Sequence, residues 1–203
     1  MRIPVYWFVL TAALLVSCSS GSSTAKKEEK AAPQPPVTAR YAYHQAYLSA
    51  RTWAQDLEIL RVRSMAIEGI KAEPGQAPVW EITFVSPSKM KQRAYSYSVV
   101  ETPSIHQGAF GGLESEWRGR DGQATSFNQA AFKVDSPDAW KTASEKSKEY
   151  MAKFPDKPIT FLMEKTPRHP DPTWRVIWGT SASTSDYSIY VDAVTGEYLE
   201  RMR

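Results

Sequence analysis

Three histidines are the side chains of this sequence best suited to bind a metal or to transfer protons near neutral pH. His44, His106 and His169 are far apart in the chain, and no two of them show the i, i+4 spacing that holds zinc on a helix. The only cysteine, Cys18, belongs to a different motif, described below. We therefore predict surface or capping histidines, no metal site and no cofactor.

A group of carboxylates is the next candidate for chemistry. Glu114, Glu116 and Asp121 lie close together in the sequence, and two carboxylates that flank a sugar could hydrolyse it only at a fixed separation. Such a group is more typical of the solvated edge of a strand, where charge discourages aggregation. No G-x-S-x-G elbow occurs, and the serine-rich stretch 180–185 predicts a polar loop. We therefore expect that the protein is not an enzyme.

Tryptophans are the remaining candidates for a binding role. Trp80, Trp140 and Trp174 lie in apolar patterns of a helix or a strand, and we predict that they belong to the core. Trp117 is followed by Arg118 and lies among charges in the least regular part of the chain. These two residues are our candidates for an exposed contact with a partner.

The N-terminus has the order of a secretory signal, which we assign to residues 1–17. Arg2 precedes an apolar stretch that ends at Val16, and its roughly 14 residues are too short to cross a bilayer comfortably. The stretch ends in Leu-Val-Ser-Cys, which matches the bacterial lipobox and predicts that Cys18 carries acyl chains such as palmitate. The alternative is an ordinary signal peptide with a cysteine there by chance.

The residues after Cys18 indicate how the mature chain is held. Ser19 resembles lipoproteins sent to the outer membrane of a Gram-negative host, so we expect the protein to face the periplasm. Serine, glycine, proline and charge dominate residues 18–36, which we predict to be a lipidated flexible tether. The only membrane contact expected is this lipid, and two or more acyl chains anchor a protein stably.

The composition from Val37 onward is that of a folded body. Loss of Arg2 with the signal peptide lowers the formal net charge of +3 by one. This near-neutral balance indicates no nucleic-acid partner. The length fits one domain or two small packed subdomains.

Helical spacing of apolar residues occurs twice in this body. The second helix has Ser136 as its predicted N-cap, with Pro137 and Asp138 in its first turn. The first stripe comprises Tyr43, Ala46, Tyr47, Ala50, Trp53, Ala54 and Leu57, and the second comprises Trp140, Ala143, Ser147, Tyr150, Met151 and Phe154.

Three predicted strands follow each helix at similar offsets, which indicates an internal repeat. The predicted strands are 58–67, 79–85 and 93–101 in the first half and 159–164, 173–179 and 187–193 in the second. We assign residues 37–101 and 136–203 to two α-β-β-β units. Residues 102–135 join them through short strands, with turns at Gly108, Gly111, Gly112, Gly119 and Gly122. Whether the units form one sheet or two stays open.

The second unit ends in a motif that carries a family resemblance. Thr173 to Leu199 combine a tryptophan strand, an aromatic strand and the turn Asp-Ala-Val-Thr-Gly. This stretch resembles the PepSY-like family, and the first half matches it only in outline. The resemblance implies an exported, cystatin-like α+β fold, with roles in peptidase inhibition, envelope binding or structure.

Three classes of function follow. The leading hypothesis is a non-enzymatic module that binds an envelope protein or peptide at an open sheet edge, with peptidase inhibition as its specific form. The alternative is a carrier of lipid or another small molecule, which would need a cavity lined by Trp80 and Trp174. A hydrolase would need a histidine beside a buried carboxylate.

Overall fold

The computed structural model describes residues 34–202, so the predicted signal peptide, Cys18 and the tether up to residue 33 lie outside the described residues. The described chain is α+β, as predicted. Its elements are β1 (Val37–Thr38), α1 (Ala39–Ala50), β2 (Glu58–Met65), β3 (Gln76–Ala77), β4 (Val79–Ser86), β5 (Lys91–Ser98), β6 (Gly108–Glu116), a 3₁₀ turn (Gln129–Ala131), α2 (Ser136–Glu145), α3 (Lys148–Lys153), β7 (Ile159–Glu164), β8 (Thr173–Trp178), β9 (Ser188–Asp192) and β10 (Tyr198–Met202).

Eight strands form one continuous antiparallel sheet in the order β10-β9-β8-β7-β2-β4-β5-β6, and β1 pairs separately with β3. The two halves therefore share one sheet, which answers the question that the sequence leaves open. They join where β2 pairs with β7, with Val62 opposite Met163. The sheet has eight strands rather than the six predicted for the two units. The joining segment adds β6 at one edge, and the end of the second unit adds β10 at the other.

Alternation along the strands creates the core between the sheet and the helices. Trp80, Ile82 and Phe84 on β4 have no exposed surface, and neither do Trp174 and Val176 on β8. The helix α1 packs over β4, β5 and β6, while α2 packs over β8 and β9. Two rows of fully buried side chains thus hold the helices on one face of the sheet.

The helices are shorter than their apolar stripes suggest. The helix α1 ends at Ala50, although Trp53 and Leu57 still pack partly buried against the core. The second stripe is divided between α2 and α3, with a break at Lys146 and Ser147. The two stripes predict burial correctly except at Phe154, which is 45% exposed, and burial in the first stripe continues past the helical backbone into the following turn.

The start of α2 differs by one residue from the prediction. Asp135 is the N-cap, and its carboxylate accepts a hydrogen bond from the backbone of Ser136, which is the first helical residue. Pro137 and Asp138 lie in the first turn, as predicted. An aspartate cap is as favourable as a serine cap, and its charge complements the positive end of the helix.

The joining segment contains one long strand, so Gly111 and Gly112 do not lie in turns as predicted. Gly108 begins this strand with a φ of +82°, as a turn residue does. Gly111 and Gly112 lie inside β6, beside a register shift between Glu114 and Gly111 in the pairing with β5. A Cβ at position 111 would lie 2.8 Å from the Tyr95 ring, so this residue must be small. Gly119 and Gly122 have positive φ angles, as turns require.

Candidate functional site

The three histidines lie in separate places. His44 is exposed on α1. The Nδ1 atom of His106 lies 3.0 Å from Oε1 of Glu101, and the His106 side chain is 62% exposed. His169 lies in the loop that precedes β8. Within residues 34–202, no three histidines, cysteines or carboxylates come together in a group that could hold a metal ion.

His169 has the contact that most resembles a catalytic pair. Its Nε2 atom lies 2.9 Å from Oε1 of Glu200, whose side chain is 31% exposed. Arg168 also donates to Glu200 through Nη2 at 2.8 Å, and this hydrogen bonding lowers the pKa of the Glu200 carboxyl. The carboxylate is therefore ionised and held by arginine, which makes it an electrostatic partner rather than a proton donor.

The three carboxylates of the joining segment have different partners. Glu114 accepts a hydrogen bond of 2.9 Å from the Trp53 indole. Lys91 pairs with Glu116, and this contact lowers the pKa of the Glu116 carboxyl. Asp121 lies 3.3 Å from the Arg61 guanidinium. The two glutamates are exposed on the edge strand β6, which is the solvated strand edge that the sequence suggests.

The expected exposure of Trp117 is wrong. Its side chain is 8% exposed and packs with Leu60, Val85 and Ala124 in a small cluster on the face of the sheet opposite the helices. The chain after β6 folds back over this face and carries the tryptophan with it, and only Arg118 is exposed as expected. The charged neighbours Glu116 and Arg118 suggest an exposed site, but their side chains are exposed while Trp117 between them is buried.

The three tryptophans predicted to belong to the core lie in it or against it. Trp80 and Trp174 are fully buried, and Trp140 is half-buried against the same core. Neither Trp80 nor Trp174 lines any of four concavities on the described part of the chain, and both side chains are fully buried. The cavity that a lipid carrier would need at these two side chains is therefore filled by the rings themselves.

One outer edge of the eight-stranded sheet is formed by β6, and the other is formed by β10. Seven of the nine residues of β6 pair with β5 on one side, and no strand among residues 34–202 pairs with the other side. An edge of this kind presents backbone N–H and C=O groups that can bind another extended chain. The register shift beside Gly111 leaves two straight stretches, one on each side of it.

Exposed apolar side chains accompany this edge. Leu113 is 95% exposed and Phe110 is 50% exposed. On α1, which packs over the same strands, Leu48 is 68% exposed and Tyr41 is 47% exposed. Two large apolar side chains are thus exposed on this edge strand, and two more are exposed on the helix that packs against it. Sequence reasoning missed this surface because it interprets Gly108, Gly111 and Gly112 as turns, although glycine within a strand also marks a bulge.

The comparisons with known proteins concern the fold. The structure is similar to the crystal structure of a putative lipoprotein from Clostridium difficile 630, with a TM-score of 0.50 and 10% sequence identity over 79% of this chain and 91% of that chain. No family model and no curated protein sequence matches the chain significantly. The PepSY-like resemblance therefore stays a prediction. In residues 34–202, every helix is too short or too polar to cross a bilayer.

Proposed function

We propose that this protein is a lipoprotein of the bacterial cell envelope that binds an extended segment of another envelope protein at the outer edge of β6 and catalyses no reaction. The observation that carries the proposal is the nine-residue edge of β6, unpaired among the described residues, with Leu113 and Phe110 exposed on it. Strand addition uses this combination, because backbone hydrogen bonds supply affinity and side-chain contacts supply specificity.

The anchor is supported by the sequence. The lipobox places Cys18 at the first position after the predicted cleavage site, and Ser19 favours delivery to the outer membrane. The structural neighbour is itself described as a putative lipoprotein. Attachment through lipid leaves the folded body in the periplasm, where extended segments of other exported proteins are accessible.

The chemistry of the edge indicates which segment would bind. Glu116 at the end of β6 is already paired with Lys91, so apolar contact rather than charge would select the segment. Leu113 and Phe110 offer apolar contact area, and burying it would contribute about 25 cal/mol per Å². The preferred partner is therefore an extended segment with apolar residues at alternate positions.

Photo-cross-linking in intact cells tests the binding edge. A photoreactive phenylalanine analogue at Leu113 replaces a side chain that is 95% exposed, so the core stays intact. The matched control carries the same analogue at Tyr198, which is 39% exposed on β10 at the opposite edge of the sheet. We expect one recurring envelope protein to be linked at position 113 and absent at position 198.

Lysine substitutions show whether the edge itself mediates binding. Phe110→Lys and Leu113→Lys add charge of the kind that natural proteins use to block sheet edges, and we expect at least a tenfold loss of captured partner. Tyr198→Lys is expected to capture as much as the unmodified chain. Equal capture at both edges, or no recurring partner at either, would exclude strand addition at β6.

The anchor needs its own experiment. Cys18→Ala removes the predicted acylation site, so we expect the protein to leave the membrane fraction and mass spectrometry to show no acyl chains. Cys18 lies outside the described residues, and Ser17→Ala serves as a neighbouring control that keeps a small residue before the cysteine. Acyl chains on the Cys18→Ala variant, or an unmodified Cys18 thiol in the native chain, would contradict lipidation.

A further inference from the structure

A polar pocket lies on the face of the sheet that carries no helix. It has a volume of about 380 Å³ and lies over β2, β7, β8 and β9. Arg61 on β2 and Arg175 on β8 contribute to its lining, together with Tyr190 on β9 and Arg168 from the preceding loop. The pocket is separate from the edge of β6, which is three strands away from β2.

Arg175 is the cation in this pocket whose charge is not matched. Its Nε atom donates to the Ser188 hydroxyl at 3.0 Å, and Nη2 donates to the Ala182 carbonyl at 3.1 Å. Among residues 34–202, no carboxylate lies within ion-pair distance of Arg175, and its Nη1 atom has no hydrogen-bond partner. Nη2 also donates to the Met202 sulfur at 3.3 Å. These three neutral acceptors fix the orientation of the guanidinium and leave Nη1 free.

The other two arginines are neutralised within the protein. Arg168 donates to Glu200 through two nitrogens. Arg61 pairs with Glu164 and with Asp121. The carboxylates near the pocket are paired with Arg61 and Arg168, and none of them is paired with Arg175. Arg175 is therefore the arginine of the pocket that has no carboxylate partner among residues 34–202.

Tyr190 supplies an apolar wall between two cations. The Arg168 guanidinium carbon lies 5.1 Å from the centre of the Tyr190 ring, and that of Arg175 lies 5.7 Å from it. Cations favour the face of an aromatic ring, so the tyrosine holds both guanidinium groups beside the pocket. A ligand that enters the pocket meets a planar ring and a fixed guanidinium together.

From this arrangement we infer that the pocket binds a small organic ligand through an oxyanion, either a carboxylate or a phosphate, held by Arg175. Both groups suit this site because the free Nη1 of the charged guanidinium can donate a charge-assisted hydrogen bond to an oxygen of either one. The volume of about 380 Å³ leaves room for more than an inorganic ion. The remainder of the ligand would lie against Tyr190.

Anion titration of the purified full chain in detergent tests this site. Sodium phosphate and sodium acetate are added separately at constant ionic strength, with sodium chloride as the reference, and backbone amide resonances of residues 173–175 and 188–190 are followed by NMR. We expect saturable shifts with at least one of the two anions and none with chloride. The stronger of the two responses identifies the phosphate or the carboxylate as the preferred group.

Matched variants assign the binding to the pocket. Arg175→Gln is expected to weaken anion binding at least tenfold, while Arg51→Gln is expected to leave it unchanged. Arg51 is a suitable control because it is exposed beyond α1, bonds only to Gln55 through its guanidinium, and its loss changes the net charge equally. Non-saturable shifts with both anions, or equal weakening by the two substitutions, would overturn the inference.

A second variant keeps the test valid if Arg175→Gln does not fold. Arg168→Gln removes the partner of Glu200 and leaves a carboxylate charge beside the pocket. We expect this charge to weaken anion binding severalfold through repulsion, with the chain still folded, because the Arg168 side chain is 43% exposed. Unchanged binding in this variant would contradict the proposed location of the anion.

Discussion

Trp80 and Trp174 pack edge to face in the core with their ring centroids 6.4 Å apart. The two indoles make the same contact in their own halves of the chain. Trp80 donates a hydrogen bond of 2.9 Å to the Val37 carbonyl, and Trp174 donates one of 2.9 Å to the Val134 carbonyl. Each tryptophan thus attaches its strand to the chain just before the helix of the same half, so the repeat extends to individual hydrogen bonds.

This relationship predicts similar losses of stability in the two halves. Trp80→Phe and Trp174→Phe each leave a valine carbonyl without its donor and a cavity beside it, at a cost of about 2 to 4 kcal/mol. Because the rings touch, we expect the double variant to differ from the sum of the two single losses. Denaturant unfolding followed by circular dichroism measures all three.

The control for these substitutions is Trp140→Phe. Trp140 is half-buried, and its indole nitrogen has no hydrogen bond within the described residues. We expect a loss of about 1 kcal/mol or less. A loss equal to that of Trp80→Phe would show that ring volume alone, and not the bond to the valine carbonyl, determines the effect.

Asp135 connects the N-termini of both helices. Its Oδ1 atom accepts hydrogen bonds from the backbone of Arg40 on α1 at 2.9 Å and of Ser136 on α2 at 2.7 Å. Ser136 Oγ accepts another from the backbone of Ala39 at 2.9 Å. One carboxylate therefore satisfies N–H groups at two positive helix ends, which is favourable for both charge and hydrogen bonding.

We predict that Asp135→Ala lowers the free energy of unfolding by about 2 kcal/mol or more. Thr38→Ala removes a cap that serves α1 alone, through the bond from Tyr41 to the threonine hydroxyl, and is expected to cost about 1 kcal/mol. Urea titration of both variants ranks them. A smaller loss for Asp135→Ala than for Thr38→Ala would mean that the shared cap contributes little.

Asp56 predicts how stability responds to acid. Its carboxylate accepts hydrogen bonds from the Ser86 hydroxyl at 2.6 Å and from the Ser88 backbone at 2.7 Å. These bonds lower its pKa from 3.8 to about 2. Because the pKa of the folded state is the lower one, this stabilisation is complete above the unfolded value and is lost as the pH falls towards 2.

Asp56→Asn is therefore expected to be less stable than the native chain at neutral pH, with a difference that shrinks as the pH falls from 3.8 to about 2. Thermal unfolding at a series of pH values measures this. Asp156→Asn changes an exposed aspartate on a different loop and is expected to leave the pH profile unchanged. A constant difference between Asp56→Asn and the native chain would contradict the prediction.

Features that depend on neighbouring residues could be predicted from the sequence. The alternation around Trp80 and Trp174 predicts two core strands, and the structure places β4 and β8 there. Both strands have a buried side chain at every second position, and this pattern is visible locally. The α+β class and the large antiparallel sheet follow from the same signals.

Features that depend on distant parts of the chain could not be predicted. Trp117 is buried because the chain after β6 folds back over Leu60, which is far away in the sequence. Gly111 lies in a strand because it pairs with Tyr95 of β5, and the Tyr95 ring leaves no room for a side chain at this position. The candidate binding edge and the arginine pocket both depend on which strands are neighbours, and apolar periodicity does not determine strand order.

Gly75 lies against the backbone at the start of α2 rather than against a flexible side chain. Its φ angle is +80°, and a Cβ built there would lie 2.4 Å from the Pro137 Cα at the start of α2. Gly69 has a similar φ of +79° but nothing within 4 Å of its Cβ position. The pair therefore separates the cost of a left-handed backbone from the cost of a collision.

Gly69→Ala should cost about 1 to 2 kcal/mol, which is the penalty for a left-handed alanine. Gly75→Ala adds the collision with Pro137, so we expect a loss of about 3 kcal/mol or more and a separation of the loop before β3 from the start of α2. Denaturant unfolding gives the two free energies, and amide exchange at Gln76 and Ala139 reports the local separation. Equal losses in the two variants would show that the loop moves away from Pro137 at no cost, which would make the close approach incidental to the stability of the fold.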